Sequence, residues 1–458
     1  MKELLISSLL GISVLLFDLL NLRKAILPLV LTGVAALIAV VFVDWGTEAN
    51  PFGNNMLLMD SYALAGIGVM ALLTLFWFAI TSDAYPAQQR RTDLYALILF
   101  SFAGALILAS YTNLVMMFMG IEILSIPLYV LAASDKQNQQ SNEAGFKYFL
   151  LGAVASAILL FGIALVYGAT GSFDFNALSA AVASPASSML LYAGITLIIA
   201  GFAFKVSAAP FHFWAPDVYQ GSPTPITAFM SSVVKAAGFF ALYRLASGPF
   251  SSVMSDFTGM FAFLAALTLV VSNLMAAVQT NVKRMLAFSS ISHAGFMLAA
   301  VMNAESTSPG VLMYYALTYG IASITSFAVL HVVSSYQDGA MEFSSFKGLV
   351  RRNPYLAGAM TLSLLSMAGI PPLAGFMAKY YIISSVISGG MMWLAVIMIL
   401  TSVVGVYYYL RVIIQLFTPV ENAGRIVLRG LQHYTYIVLS ILMIALFFAA
   451  GFFEMIGL

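Results

Sequence analysis

The chain has 458 residues, 62% of them hydrophobic and 8% charged, with a formal net charge of +1. Roughly a quarter of a soluble protein's residues carry charge, so 19 basic and 18 acidic side chains cannot cover a water-soluble surface of this size. The near-neutral balance gives no basis for binding nucleic acid, and the lack of cysteine excludes disulfides, thiolate-held iron–sulfur clusters and a cysteine nucleophile.

In chain order, the apolar runs predict fourteen spans near 4–20, 25–43, 61–82, 94–110, 113–133, 145–168, 189–209, 223–246, 257–277, 284–303, 310–335, 354–386, 391–417 and 432–453. The expected fold class is an all-α polytopic membrane protein. A transmembrane barrel does not fit, because its strands alternate apolar and polar residues and these runs do not. The first run ends Asp18-Leu-Leu-Asn21-Leu-Arg23-Lys24 without a small-residue cleavage site, so it reads as a span rather than a cleaved signal. The seventh span runs into Pro210 and Pro216, and the twelfth carries Pro371-Pro372 beside Gly369 and Gly375. Both are expected to be broken helices. His212, His293, His331 and His433 are too dispersed to form a helical pair of haem or zinc ligands, and no Gly-rich phosphate loop precedes a Lys-Ser/Thr pair. No cofactor or metal site is therefore expected in this chain.

Loop charge predicts the orientation. Arg23, Lys24, Arg90, Arg91, Lys136, Lys283, Arg284, Lys347, Arg351, Arg352, Arg425 and Arg429 fall in odd-numbered loops. Asp44, Glu48, Asp174, Asp256 and Glu305 fall in even ones. The odd loops are expected on the cytoplasmic side, which places both termini outside.

The chain also repeats itself. Thr112-Asn113 matches Thr280-Asn281 at an offset of 168, Tyr148, Leu150, Ala155 and Ser156 match Tyr315, Leu317, Ala322 and Ser323 at 167, and Pro210 matches Pro372 at 162. Spans 4–8 thus resemble spans 9–13. Five is odd, so the second copy starts from the opposite side, giving an inverted repeat with a broken helix in each half. Chance similarity between apolar helices is the alternative. The expected divisions are three N-terminal helices in 1–92, a first five-helix repeat in 93–248, a second inverted repeat in 249–420 and a last transmembrane helix in 421–458.

Glu122, Lys205, Lys235 and Lys379 lie well inside apolar runs. A charged side chain at mid-bilayer costs roughly 2.5–3.5 kcal/mol on insertion scales, so four of them need a reason. Low dielectric disfavours an ammonium and a nearby carboxylate favours it, so a lysine whose partner moves becomes a switchable proton site. A static ion pair that pins two helices is the bland alternative. The breaks lie close by: Pro210 leaves the Val206 carbonyl without its helical donor, and Pro371 and Pro372 do the same for Met367 and Ala368. Freed backbone at this depth survives only against protein or water, which suggests a hydrated pocket at each lysine. A packing kink is the other reading. His293 suits a relay, because histidine ordinarily titrates near neutral pH, or it is a structural histidine bonded to a serine. Lys147 either continues the polar chain or snorkels to the interface. Asp217 reads as a structural cap.

Three stretches carry a resemblance: Ala209-Pro-Phe-His-Phe-Trp-Ala-Pro-Asp217-Val-Tyr-Gln-Gly-Ser-Pro-Thr-Pro225, Gly369-Ile-Pro-Pro-Leu-Ala-Gly-Phe-Met-Ala-Lys379 and Glu143-Ala-Gly-Phe-Lys147-Tyr-Phe-Leu-Leu-Gly152. Over essentially its whole length the chain resembles the N-type antiporter-like subunits of bacterial respiratory complex I. The resemblance implies fourteen helices in two inverted five-helix repeats with helices 7 and 12 broken. It implies one proton channel, with Glu122, Lys147, Lys205, Lys235 and Lys379 at the family's acidic and lysine positions. An L-type lateral helix is not expected after the core, and the M-type glutamate of helix 12 is replaced here by Lys379. The expected function is proton translocation through a buried Glu/Lys/His relay coupled to quinone reduction elsewhere in the complex. A cation/proton antiporter subunit is the alternative. The implied cofactors (NAD, FMN, iron–sulfur clusters and quinone) belong to partner subunits. The implied partners are the M-type subunit, the small K- and J-type subunits and membrane lipid, and the implied location is the bacterial inner membrane.

Overall fold

The structure is a computed structural model that describes residues 2–47, 51–84, 91–183, 189–304, 307–337, 339–420, 424–428 and 430–455. The loop charges Glu48, Arg90, Glu305 and Arg429 lie outside the described residues. The helices follow the apolar runs: α1 (Lys2–Leu19), α2 (Ile26–Asp44), α3 (Ser61–Ile80), α4 (Arg91–Ser110), α5 (Leu114–Ala132) and α6 (Gln139–Thr170). After the short α7 (Phe175–Val182), the seventh span is α8 (Met189–Lys205), a tight turn and α9 (Trp214–Gly221). The eighth span is α10 (Thr224–Phe229), a π-helical turn at Met230–Val234 and α11 (Lys235–Ser247). Then come α12 (Met254–Ala277), α13 (Val282–Met302), α14 (Pro309–Ser335) and the short α15 (Leu349–Arg352). The twelfth span is split into α16 (Pro354–Ala368) and α17 (Ala374–Ser388), and α18 (Met392–Phe417), α19 (Gly430–Phe448) and α20 (Ala450–Met455) follow. Eleven of these segments are long and apolar enough to cross a bilayer, and α8 and α16 are shorter apolar helices. The only sheet among the described residues is a two-strand ribbon of β1 (Pro51–Phe52) and β2 (Leu57–Leu58).

Both predicted breaks are present. The Ala209–Pro210 and Pro371–Pro372 peptides are cis, and each separates the two parts of its span. The halves also share a device built from the same positions. The Leu114 amide donates to the Phe173 carbonyl at 3.0 Å, and the Val282 amide donates to the Met341 carbonyl at 2.8 Å. Asn113 bridges Asp174 and Asn281 bridges Glu342, and the Asn113 and Asn281 side chains cap α5 and α13. Each of the four residues in one device sits 168 positions before its counterpart in the other. The first device joins even loops and the second joins odd loops, so they lie at opposite ends of the bundle, as an inverted repeat requires.

Close packing fixes the layers. Gly162 of α6 and Gly194 of α8 face each other: a Cβ on Gly162 would stand 2.8 Å from the Gly194 carbonyl oxygen, and one on Gly194 2.9 Å from that of Gly162. Small residues let helix backbones approach in this way where no hydrophobic force separates lipid from side chain. α13 is buried along its whole length, and the α10–α11 and α14 spans nearly so, whereas α2 and α19 keep most of their surface outward. The second repeat's first pair of helices thus starts at the rim with α12 and ends in the centre with α13.

The absence of cysteine makes the alternation of sides directly measurable. With odd loops inside, Gln137→Cys reacts with a membrane-impermeant maleimide only in inverted vesicles, and Ala180→Cys reacts in intact spheroplasts. Labelling of both from one side contradicts the alternation.

Candidate functional site

Apart from Lys147, the predicted charges lie in a band of polar contacts made of two groups, one around Lys205 and one along α13. On α5, Glu122 accepts from the Ser156 hydroxyl of α6 at 2.5 Å. Lys205, the last residue of α8, donates to the Ser125 hydroxyl at 3.0 Å and the Tyr129 hydroxyl at 3.2 Å, one and two turns along α5 from Glu122. Glu122 and Lys205 therefore share a helix face without a direct ion pair. The break follows Lys205 at once. The Trp214 indole of α9 donates to the Phe204 carbonyl at 3.0 Å, which also accepts from the Ser207 amide in the turn.

Lys235 follows the π-helical turn and is 3% exposed. Its ammonium donates to Ser290 of α13, to the carbonyl at 2.6 Å and to the hydroxyl at 2.5 Å. One turn on, His293 places Nδ1 2.7 Å from the Tyr315 hydroxyl and Nε2 3.4 Å from that of Tyr409. The histidine is thus bonded to tyrosines rather than to a serine, although Tyr409 in turn bonds Ser289. A further turn on, the Phe296 ring lies under the Lys379 ammonium, 5.1 Å from it. Lys379 donates to the Ala368 carbonyl at 3.1 Å and to the Ser402 hydroxyl at 3.4 Å. Ala368 is one of the residues whose carbonyl the proline pair was expected to free. Gly375 permits this arrangement, because a Cβ there would stand 1.8 Å from the Ser366 carbonyl oxygen. The space beside this break is small, a cavity of about 10 Å³ lined by His293, Tyr315, Tyr319 and Ser366 among others. That is about the space of one water.

Lys147 lies away from this band, at the end of the bundle that carries the odd loops. It pairs with Glu143 at 2.7 Å and Asp217 at 2.8 Å, and the other oxygen of Asp217 takes Arg284 at 2.8 Å. Arg284 also donates to the Gln220 side-chain oxygen at 2.8 Å. These residues line a cavity of about 170 Å³. Lys147 is therefore tethered rather than free to snorkel, and Asp217 holds two cations rather than capping a helix.

Sequence reasoning missed three groups. Lys283, taken as a loop charge, is 2% exposed in the first turn of α13 and donates to the carbonyls of Gln220 at 3.1 Å and Ser222 at 2.5 Å. Arg244, inside the eighth span, forms a two-pronged pair with Asp60 at 3.0 and 2.9 Å and also donates to the carbonyls of Tyr111 and Ala109. That pair borders a cavity of about 900 Å³ formed by residues next to even loops. The signal for Arg244 was present, since it is a lone cation in Phe-Ala-Leu-Tyr-Arg244-Leu-Ala. The third group is the hydroxyl partners themselves, for which an apolar helix gives no signal. Among the described residues, no three His, Asp or Glu side chains come together as metal ligands.

The family described as NADH:quinone oxidoreductase/Mrp antiporter, TM, matches residues 111–405. An NADH-quinone oxidoreductase subunit N of Cytophaga hutchinsonii is 43% identical over 429 residues, covering 92% of this chain and 91% of the relative. Among solved structures, a chain of respiratory complex I from Thermus thermophilus is 34% identical with a TM-score of 0.85, covering 98% of this chain and 97% of that one. A chain of the Mrp complex from a Dietzia species, 20% identical with a TM-score of 0.85, covers 99% of this chain and 95% of that one and shares the fold.

The Arg244–Asp60 pair has a measurable worth. Breaking a fully buried pair costs roughly 3–5 kcal/mol, and Asp60 keeps about a third of its surface, so Arg244→Met should cost about 2 kcal/mol. The loss should appear as earlier thermal unfolding in detergent, and Asp60→Asn added to Arg244→Met should recover part of it.

Proposed function

The chain belongs to the NADH:quinone oxidoreductase/Mrp antiporter family, on its subunit N branch, and on that footing we propose that protons cross it along a line of buried side chains from Glu122 and Lys205 through Lys235 and His293 to Lys379. It is a proton-translocating membrane subunit of NADH:quinone oxidoreductase. The observation that carries the relay is the nature of the lysine partners. Lys205, Lys235 and Lys379 donate to hydroxyls and backbone carbonyls, and among the described residues none of them forms an ion pair with a carboxylate. A hydroxyl accepts from an ammonium and donates to the neutral amine, so each lysine can lose its proton without stranding a counter-charge. Sodium needs several converging oxygen ligands, a geometry this band does not offer.

Glu122 lies one turn of α5 from the first lysine's acceptor and can hold it charged from a distance. Lys147 belongs to the inner end, where protons are taken up. The middle step passes along α13, where Ser290, His293 and Phe296 stand one turn apart. The halves that build the path are residues 93–248 and 249–420, preceded by three helices in 1–92 and followed by one in 421–458. NAD, FMN, iron–sulfur clusters and quinone belong to other subunits, and the electrons move there. The M-type subunit and the small K- and J-type subunits are its neighbours in the bacterial inner membrane, and both termini face outward.

The test uses the whole complex reconstituted in vesicles. Lys379→Met should leave the complex assembled while slowing coupled NADH oxidation about tenfold, equivalent to about 1.4 kcal/mol on the barrier, and lowering pumping with it. Lys379→Arg should do the same, because arginine keeps its charge and does not release its proton. Wild-type pumping in Lys379→Arg removes Lys379 from the relay. Lys205→Ala and Glu122→Ala should likewise assemble and pump poorly, and loss of the whole complex on native gels for both would make these charges structural. Sodium-dependent transport that persists with a protonophore present would contradict proton specificity.

A further inference from the structure

Asp217 is the one acidic side chain among the described residues that touches a cation from each half of the molecule. One oxygen takes Lys147 of α6 in the first repeat, and the other takes Arg284 of α13 in the second, both at 2.8 Å. Each cation has a second partner, Glu143 for Lys147 and Gln220 for Arg284. Either contact to Asp217 can therefore open without leaving an unpaired cation. The three charged side chains keep about a third of their surface beside the 170 Å³ cavity, so opening costs little. The helix that carries Asp217 is meanwhile pinned at its far end, where buried Lys283 holds the carbonyls of Gln220 and Ser222.

Movement at Asp217 has a path to Lys205. Trp214 is one turn before Asp217 on α9, and its indole holds the Phe204 carbonyl next to Lys205. The same indole stacks on Tyr148 at 4.8 Å between centroids and 7° between planes, and Tyr148 neighbours Lys147 in sequence. Tyr148 packs edge-on against Tyr129 at 4.7 Å, and the Tyr129 hydroxyl is an acceptor of the Lys205 ammonium. The repeat adds an independent pointer. Asp217 stands seven residues after Pro210, and Lys379 stands seven residues after Pro372. The first half thus has a carboxylate at the place where the second half has a relay lysine.

We propose that Asp217 is a positioning residue of the proton relay, the shared counter-ion through which the charge held at Lys147 and Arg284 is transmitted to Lys205. The proposal rests on the relay reading. With both contacts closed, Asp217 divides itself between two cations. When the Lys147 contact opens and Lys147 keeps Glu143, Asp217 turns to Arg284 alone, and α9 shifts the Trp214 and Tyr148 contacts that border Lys205. Only ion pairs and hydrogen bonds change partner, and no covalent bond is broken.

The experiment is a set of double-mutant cycles in the reconstituted complex, read as protons pumped per NADH oxidised. Lys147 and Arg284 meet through Asp217, so independent roles make the effects of Lys147→Met and Arg284→Gln multiply. A shared counter-ion makes the double variant no worse than the poorer single one, within about a factor of two. Adding Asp217→Asn to either single variant should change pumping by less than about twofold, and Asp217→Glu should restore most of what Asp217→Asn loses. Multiplying effects, or wild-type pumping in assembled Asp217→Asn, overturn the proposal. If Asp217→Asn fails to assemble, the Lys147–Arg284 cycle decides alone, with Arg284→Lys as its conservative arm. Lys205→Ala measured in parallel separates the two readings. Wild-type pumping there removes the relay itself, whereas an impaired Lys205→Ala with multiplying Lys147 and Arg284 effects removes Asp217 only.

Discussion

A cation in a lipid-bounded interior has no water to hold it, so the protein must supply its hydrogen bonds, and much of this architecture follows from that requirement. An intact helix spends its carbonyls on its own amides, so it has little to offer a neighbouring ammonium. The cis-proline break in the twelfth span changes this, because Ala368 ends its helix with a free carbonyl that Lys379 takes. The π-helical turn before Lys235 is a gentler interruption of the same kind, and it sets the lysine against Ser290. Serines and tyrosines supply the remaining acceptors. They suit the task because a hydroxyl turns from acceptor to donor as the proton leaves, whereas a carboxylate would pin the charge in place.

Duplication explains where these parts lie, and divergence explains why the halves differ. The capped helix starts at Asn113 and Asn281 still correspond position by position, down to the backbone bond made across the loop beside each. Shifting Glu122 by the same 168 positions reaches Ser290. The place that holds a carboxylate near Lys205 in the first half therefore holds a hydroxyl in the second, and Lys235 of the first half reaches across to use it. One buried helix, α13, thus serves both halves. Ser290 faces the first-half lysine, Phe296 faces the second-half lysine, and His293 stands between them on its tyrosine partners.

The spans were legible because a bilayer imposes one length and one composition, and the breaks because proline has no amide proton. The buried lysines were legible because charge is rare in such runs. The acceptors were not: Ser125, Ser290 and Tyr315 differ from dozens of other small or aromatic residues in apolar helices only in where they point. The charges at helix ends were misread for a related reason. Lys283 opens α13 from a short loop, and sequence cannot tell a loop cation facing water from one folded back onto the carbonyls of Gln220 and Ser222. Arg244 found its partner 184 residues away, and no local pattern anticipates such a pair. No local pattern tells that Glu122 and Lys205 do not pair, and their separation onto Ser156 and onto Ser125 with Tyr129 is a tertiary result.

The two ends of the molecule treat charge in opposite ways. Near the even loops, Arg244 spends its donors on Asp60 and on two backbone carbonyls, and the Tyr62 ring lies against the guanidinium. An arginine keeps its charge, and this one is buried with its fork filled by a carboxylate and two carbonyls, so this region is built to stay still. Near the odd loops, the carboxylate of Asp217 and the cations of Lys147 and Arg284 each have more than one partner, and most of those partners are side chains beside a cavity. Side chains exchange partners far more readily than backbone does. Lys283 is held by carbonyls here, and its contacts fix the end of α9 while leaving Asp217 free to turn. A rigid end at the even loops and an adjustable end at the odd loops suit the proposed relay, because a step that admits a proton must respond to charge and the frame around it must not.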